Sequence, residues 1–283
     1  SRQENLRFAD NEWWQIVRQK PSLTETIEKF ITYIIQFGEQ TVMRQDIFSV
    51  LRHNSVTEVR QFLSGRPELC IPDLLDQKQS TVLHLACNQD NTDLVEYLLT
   101  AYDRQAAAIV KGSRLKEKGW LNAKDADGFT CLHYSVFKAN YRSARRLEEH
   151  GADIYEVNSL GLCVMHIAAQ GDSPLLMDHR SIKLDYYMSK GLKIGVEDAK
   201  GSTPIHWACY SGKENSVNSL VAWGAELNRQ DKIYGLTPLH LAVLSGNGKN
   251  VKKLLIRGAD RNIRVRCKFM KDFRGKLPLD LAR

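Results

Sequence analysis

Short apolar stripes alternate with polar turns along this chain, on a period far longer than one helical turn. In GSTPIHWACYSG (201–212), Ile205, Trp207 and Ala208 form one stripe, which predicts a short helix. SVNSLVAW (216–223) supplies a second stripe, and Gly224 stops it, as a glycine able to turn left-handed commonly does at a helix C-terminus. The same cadence returns as STVLHLAC from Ser80, FTCLHYSV from Phe129, LCVMHIAA from Leu162, LTPLHLAV from Leu236 and a degenerate KLPLDLAR from Lys276. The aligned residues are His84, His133, His166, His206, His240 and Asp280, separated by 49, 33, 40, 34 and 40 positions. A period of 33 with insertions of 16, 0, 7, 1 and 7 accounts for every step. SVTEVRQFL (55–63) aligns with NTDLVEYLL (91–99) and adds an earlier unit with Phe48 at the histidine position. Neither helix of such a unit can bury its stripe alone, so the pattern predicts an all-α solenoid of stacked repeats with one continuous core.

Each unit carries its own start signal. Thr203 is expected to cap the helix by accepting a hydrogen bond from an orphan backbone N–H, and Pro204 fits the first helical position. His206, three residues after the cap, can return a bond to it as Glu does in a capping box. Five histidines repeating at the unit period therefore read as helix-start devices. Cys209 and Cys87 fall in the small-residue slot that Ala169 and Val243 occupy, which faces the core. A His206–Cys209 catalytic pair would need an exposed thiol, a free base and a third orienting group. The sequence offers no phosphate-binding glycine loop, no HExxH and no recurring carboxylate pair. This chain is thus expected to be no enzyme and to need no cofactor or metal.

A 33-residue unit of the form T-P-L-H-x-A, a second helix, then G-A-D and a polar turn resembles the ankyrin repeat. Trp223-Gly224-Ala225-Glu226, Arg257-Gly258-Ala259-Asp260 and His150-Gly151-Ala152-Asp153 carry its end signature. The resemblance covers residues 46–283, about six repeats with a final unit holding only its first helix. It implies helix-turn-helix pairs joined by β-hairpin fingers. Residues 1–45 do not fit the period. Ile27, Phe30, Ile31 and Ile34 are at helical spacing there, and Trp13 and Trp14 anchor a preceding segment. They are expected to form a helical N-terminal cap, with a free partner-binding helix as the alternative.

HIAAQGDSP (166–174), DAKGSTPIHWACYSGKE (198–214) and LLIRGADRNIR followed by RGKLPLDLA are narrower. They resemble the N-terminal ankyrin domain of DHHC-type protein S-palmitoyltransferases. That resemblance implies a module recruiting cytosolic substrates for a membrane-embedded acyltransferase domain; the alternatives are a scaffold subunit of a larger assembly and the cytosolic repeat domain of a channel or other membrane protein. No Asp-His-His-Cys stretch occurs in this chain, so any such activity would belong to residues beyond Arg283. The start at Ser1 likewise suggests a piece of something longer.

Composition narrows the setting. Six cysteines without a CxxC or zinc-finger spacing read as reduced thiols in a cytosolic setting. No run approaches the roughly 18–20 apolar residues that span a bilayer, and SRQENLRFADNEWW is too polar for a signal peptide. The expected location is the cytoplasmic side, with tethering to a membrane by residues beyond Arg283. Charge is uneven: Lys249 to Arg283 holds twelve Lys or Arg against three Asp, while the rest of the chain is near neutral. Arg264, Arg266, Lys268, Lys271, Arg274 and Lys276 are expected to touch an acidic surface, an anionic membrane leaflet or an acidic partner, if they do more than solvate the solenoid end. Nucleic acid is disfavoured because no base-reading module is present, and a small-molecule substrate is not expected.

Partner-binding positions follow from the repeat. The residue four after each aligned histidine faces the concave side: Asn88, Phe137, Gln170, Tyr210 and Leu244. The finger tips add Asp127, Phe129, Leu160, Lys200, Tyr234 and Leu236. Aromatic and apolar residues at exposed slots suit interface anchors for a protein partner. The insertions depart from the period. RQAAAIVKGSRLKEKGW (104–120) is expected to extend a helix past Tyr102 and then turn, as a surface loop or a partner-binding finger. AAQGDSPLLMDHRSIKLDYYMSKGLKI (168–194) is expected to hold a longer second helix, with His179 and its scattered acids too sparse for a metal site. VRCKFMK (265–271) is expected to lengthen the last finger.

Overall fold

The computed structural model describes residues 47–52, 55–67, 69–108, 119–171, 184–267 and 272–282. By compactness the chain divides into residues 1–49 and 50–283. Of the first unit only 47–49 are described, and they are helical. The expected N-terminal cap over 1–45 lies outside the described residues.

From residue 50 onward the fold is a succession of helix pairs. A first helix of seven residues recurs as α2 (Val82–Asn88), α4 (Cys131–Phe137), α6 (Val164–Gln170), α8 (Pro204–Tyr210) and α10 (Pro238–Leu244). Second helices are α1 (Val56–Ser64), α3 (Thr92–Ala108), α5 (Tyr141–Glu149), α7 (Leu184–Ser189), α9 (Glu214–Ala222) and α11 (Gly248–Ile256). The last unit contributes a single 3-10 turn, Pro278–Leu281, instead of an α-helix. Such short helices are not stable alone, so stacking holds them. Each first helix packs on the next, from α2 through α10 to the closing turn, and α9 packs on α11 in the second column. Leu83, Leu132, Met165, Ile205 and Leu239 take the same slot in five successive first helices, each at most 2% exposed. Burying one such side chain contributes about 1.5–3 kcal/mol.

The expected start device is present in the five units that carry the aligned histidine. Thr81, Thr130, Cys163, Thr203 and Thr237 are the N-caps of the first helices, and each gives its backbone N–H to Nδ1 of the histidine three residues on, at 3.1–3.2 Å. In the Thr81, Thr130 and Thr237 units the hydroxyl also accepts the histidine backbone N–H. At Thr203 this last bond is replaced: His206 N–H bonds to the Thr203 carbonyl at 2.9 Å in a tighter first turn. There the hydroxyl pairs with Nδ1, 2.8 Å away. In the final unit the Asp280 carboxylate takes the Leu277 N–H in the histidine's place.

The second helices end as the glycines require. Gly151, Gly224 and Gly258 have φ of 99°, 81° and 93°, and the N–H of the alanine after each returns to the helix. Lys190-Gly191-Leu192 repeats this ending in a unit where the sequence pattern had not shown it. The fingers are tight turns, not the β-hairpins expected. Among the described residues only an isolated bridge, Leu75 to Thr81, has ladder pairing. Successive fingers are joined edge to edge by single bonds, for example Ala199 N–H to the Leu160 carbonyl at 3.0 Å. Close approach explains the turn glycines: at Gly161, with φ 75°, an added Cβ would sit 2.6 Å from the Ala199 nitrogen.

The first insertion does extend a helix. Two further turns bring Gln105 to the chain at Leu69 and Ile71, where its side chain bonds the carbonyl of one and the N–H of the other. Trp120, 1% exposed, then stacks on Tyr102 with ring centres 4.6 Å apart. Residues 109–118 lie outside the described residues, as do 172–183 with His179 and most of the longer helix expected there. At the last finger Val265 bonds to Gly275 and Lys276 through the backbone, while 268–271 are again outside the description.

Candidate partner-binding groove

All five aligned histidines are bonded to the scaffold through Nδ1, and His84, His166 and His206 through Nε2 as well. Nδ1 accepts from the cap N–H, so Nε2 carries the proton and donates to the next unit, at 3.0 Å to the Phe129 carbonyl from His84 and 3.1 Å to the Arg229 carbonyl from His206. His166 reaches the Ser202 carbonyl in the same way. Burial holds all five below the usual histidine value, His133 down to about 4. Cys209 is fully buried and its thiol is pushed well up by desolvation. With both nitrogens of His206 committed and Cys209 in the core, the pair has neither the free base nor the thiolate that nucleophilic chemistry needs.

An Asp or Asn side chain that sequence reasoning missed shapes five of the fingers. Asp76, Asp125, Asn158 and Asp198 stand eight residues before their histidines, and Asp231 nine before His240. One side-chain oxygen accepts two backbone N–H groups of the turn in each case, at 2.6–3.0 Å. Two of these carboxylates are tied back to the first helix. Tyr134 donates its hydroxyl to Asp125 at 2.6 Å, and Trp207 donates Nε1 to Asp198 at 2.9 Å. Both donors directly follow the aligned histidine, so helix and finger are held at a set angle. The recurring Asp or Asn at a nearly constant offset was the available signal.

Between that helix and the next finger lies a groove of about 360 Å³, between the units of His206 and His240. It brings together five of the expected residues, Lys200, Tyr210, Tyr234, Leu236 and Leu244, and adds Trp207 and Leu241. Tyr210 is 62% exposed and Leu244 42%, so its upper walls are apolar and open. Tyr210 stands edge-on to Trp207, ring centres 6.1 Å apart. Leu236 is different from its expected role as a tip anchor: at 5% exposure it packs with Val265 and Cys267, because the last finger folds over it. It forms floor, not tip. The remaining residues belong to earlier units. Asn88, Phe137, Asp127 and Leu160 are exposed and Gln170 half-buried along the same row. Phe129 is half-buried, packed on the rings of His133 and Tyr134, which leaves only part of it for a ligand.

A second cavity, about 390 Å³, lies on the other column of helices between α5 and α7. Its polar groups already serve one another: Tyr186 donates to Glu148 at 2.6 Å and Arg145 to the Tyr141 hydroxyl at 2.9 Å. Arg264, Arg266, Arg274 and Lys276 are exposed, with Arg264 bonded to the Gly275 carbonyl. Lys268 and Lys271 lie outside the described residues. No helix among the described residues is long and apolar enough to cross a membrane, and no cluster among them has metal-ligand composition.

Comparison with known proteins agrees with this geometry. The family described as ankyrin repeats matches in three copies, over residues 47–158, 139–231 and 165–265. The Palmitoyltransferase AKR1 of Lachancea kluyveri is 27% identical over 170 residues, 53% of this chain and 23% of that protein. Transient receptor potential cation channel subfamily A member 1 of Homo sapiens is 24% identical over 57% of this chain and 13% of its own length. The Probable 26S proteasome regulatory subunit p28 of Saccharomyces cerevisiae is 28% identical over 62% of this chain and 68% of that protein. The chain therefore spans less than a quarter of the first two relatives. Repeats, caps and family match together make this a protein-interaction module, and the chain belongs to the ankyrin-repeat family.

Proposed function

We propose that this chain recruits a protein partner through the row of exposed residues four after each histidine, with the groove at Tyr210, Tyr234 and Leu244 as its centre. The observation that carries this reading is the pairing of large exposed side chains, Phe137 at 52% and Tyr210 at 62%, with a first helix that does not need them for packing. An extended segment with apolar side chains suits a groove having open apolar walls, a lysine at one rim and hydrogen-bonding groups at its base. The partner is a substrate for protein S-acylation, and the acyltransferase chemistry belongs to residues outside this chain. Similarity to a palmitoyltransferase and the HWAC and AAQGD wording support that part. A scaffold subunit is the second reading, favoured by the match that spans 68% of the p28 subunit.

Two experiments separate these. Reading the transcript beyond Arg283 distinguishes an Asp-His-His-Cys cysteine-rich domain from a channel pore or a stop codon. Proximity labelling in cells with the wild-type chain and with Phe137→Ala/Tyr210→Ala then identifies proteins held by the groove. Loss of a set of S-acylated proteins in the double variant is expected; an unchanged set contradicts the recruiting role.

A further inference from the structure

Two large apolar residues are exposed at neighbouring helix ends, away from the groove. Trp223 is the C-cap of α9 and 51% exposed, and Ile256 closes α11 at 68%. The two helices pack side by side in equivalent positions of successive units, which brings their last turns together. Stacking does not account for Ile256 being open. Its equivalents, Ala222 in α9 and Glu149 in α5, are exposed as well, although α9 is covered by the following α11. Leu255 is another matter: its equivalent Val221 is buried, so its exposure belongs to the open end of the repeat stack. Ile256 sits at a slot that faces outward in α5, α7 and α9 as well, where Glu149, Ser189 and Ala222 stand, and it holds an isoleucine instead.

The surroundings are basic. Lys249, Lys252 and Lys253 precede Ile256 by seven, four and three residues and so share its side of α11. Arg257 follows directly and Arg261 lies in the next turn, both exposed. Lys249 pairs with Glu214 at 3.2 Å. The nearby acids are engaged: Glu226 lies 3.5 Å from Arg229, and Asp260 accepts the Asn262 N–H. An exposed isoleucine flanked by Lys and Arg, with an exposed tryptophan at the end of the neighbouring helix, matches the chemistry of a bilayer interface, where indole sits at the headgroup level and basic residues are drawn to an anionic surface.

We infer that the C-terminal ends of α9 and α11 form a docking surface for an anionic lipid leaflet, with Trp223 and Ile256 entering the headgroup region and Lys252, Lys253, Arg257 and Arg261 facing acidic lipid. Arg264, Arg266, Arg274 and Lys276, exposed beyond them, add to the attracting field. The surface is separate from the groove, so lipid and protein partner can be held together.

Co-sedimentation of the whole chain with phosphatidylcholine vesicles, with and without phosphatidylserine, tests this. Binding should need phosphatidylserine and weaken with salt. Arg257→Glu/Arg261→Glu and Trp223→Ser/Ile256→Ser should each lower partitioning at least about tenfold, and Tyr210→Ala should leave it unchanged. The arginines are exposed, so their variant keeps the test sound if the apolar one fails to fold. Equal binding to neutral vesicles, no binding to either (the result if an acidic protein or a second copy is the occupant), or binding that survives both double variants would overturn the assignment.

Discussion

On each seven-residue first helix, the aligned histidine and the residue four positions later lead opposite lives. The first is the same in five units, buried, and bonded within its own unit. The second is Asn88, Phe137, Gln170, Tyr210 or Leu244, half-buried to open. One helical turn is enough to divide what the fold needs from what a partner could read. Identity at a repeat position therefore signals architecture here, and variety at an exposed one leaves the position open to the recognition proposed above.

Acid should expose the buried half of this contrast most strongly. The five histidines are held neutral by burial, with values below the ordinary 6.5. The unfolded chain thus binds more protons as pH drops below about 6.5, and stability falls, by up to about 1.4 kcal/mol per pH unit for each histidine. For His133 the loss continues to about pH 4. Urea midpoints measured from pH 7.5 downward should begin to fall above the range where carboxylates titrate. A flat profile between pH 6.5 and 5 would show that the histidines are not held neutral.

Removing a single histidine is the next largest break. His206→Ala leaves the Thr203 N–H and the Arg229 carbonyl without their partner, in a core with no room to relax, at a cost of about 2–4 kcal/mol. Denaturant unfolding reads this directly. Gly161→Ala should cost about 2–3 kcal/mol, because a positive φ is combined with a Cβ 2.6 Å from the next finger. Gly246→Ala, with φ 70° and open space around it, should cost only about 1 kcal/mol. Equal losses at the two glycines would mean the fingers do not pack edge to edge as described.

Much of this was legible from residue types at fixed offsets. Thr203, Pro204, His206 and Gly224 act within a few residues of themselves, so their local pattern carries their role. The exposure of Tyr210 and Phe137 was legible too, since the repeat puts each at the last residue of a seven-residue first helix, where the chain turns out of the stack. Leu236 was not: the last finger buries it through Val265 and Cys267, which no periodicity connects to it. The strandless fingers escaped for a related reason. Asp198 and its equivalents hold turn N–H groups on side-chain oxygens, so each of these fingers closes as a turn, with Asp198 N–H on the Ser202 carbonyl at 2.9 Å, where a hairpin ladder was expected. Trp207 looked like family wording in the sequence, and the structure gives it a mechanical part as the tie to Asp198. Trp207→Phe should keep the packing and lose that bond, costing about 1 kcal/mol and loosening the finger that carries Lys200, which hydrogen exchange at residues 198–202 would report.

The smallest expected effect on stability bears most directly on the central claim that recognition sits apart from the scaffold. Phe137→Ala/Tyr210→Ala, compared with wild type for melting temperature and for the proteins labelled in cells, should melt within the change produced by about 0.5 kcal/mol while losing its partners. A large drop in melting temperature, or an unchanged partner set from a folded variant, would contradict the account.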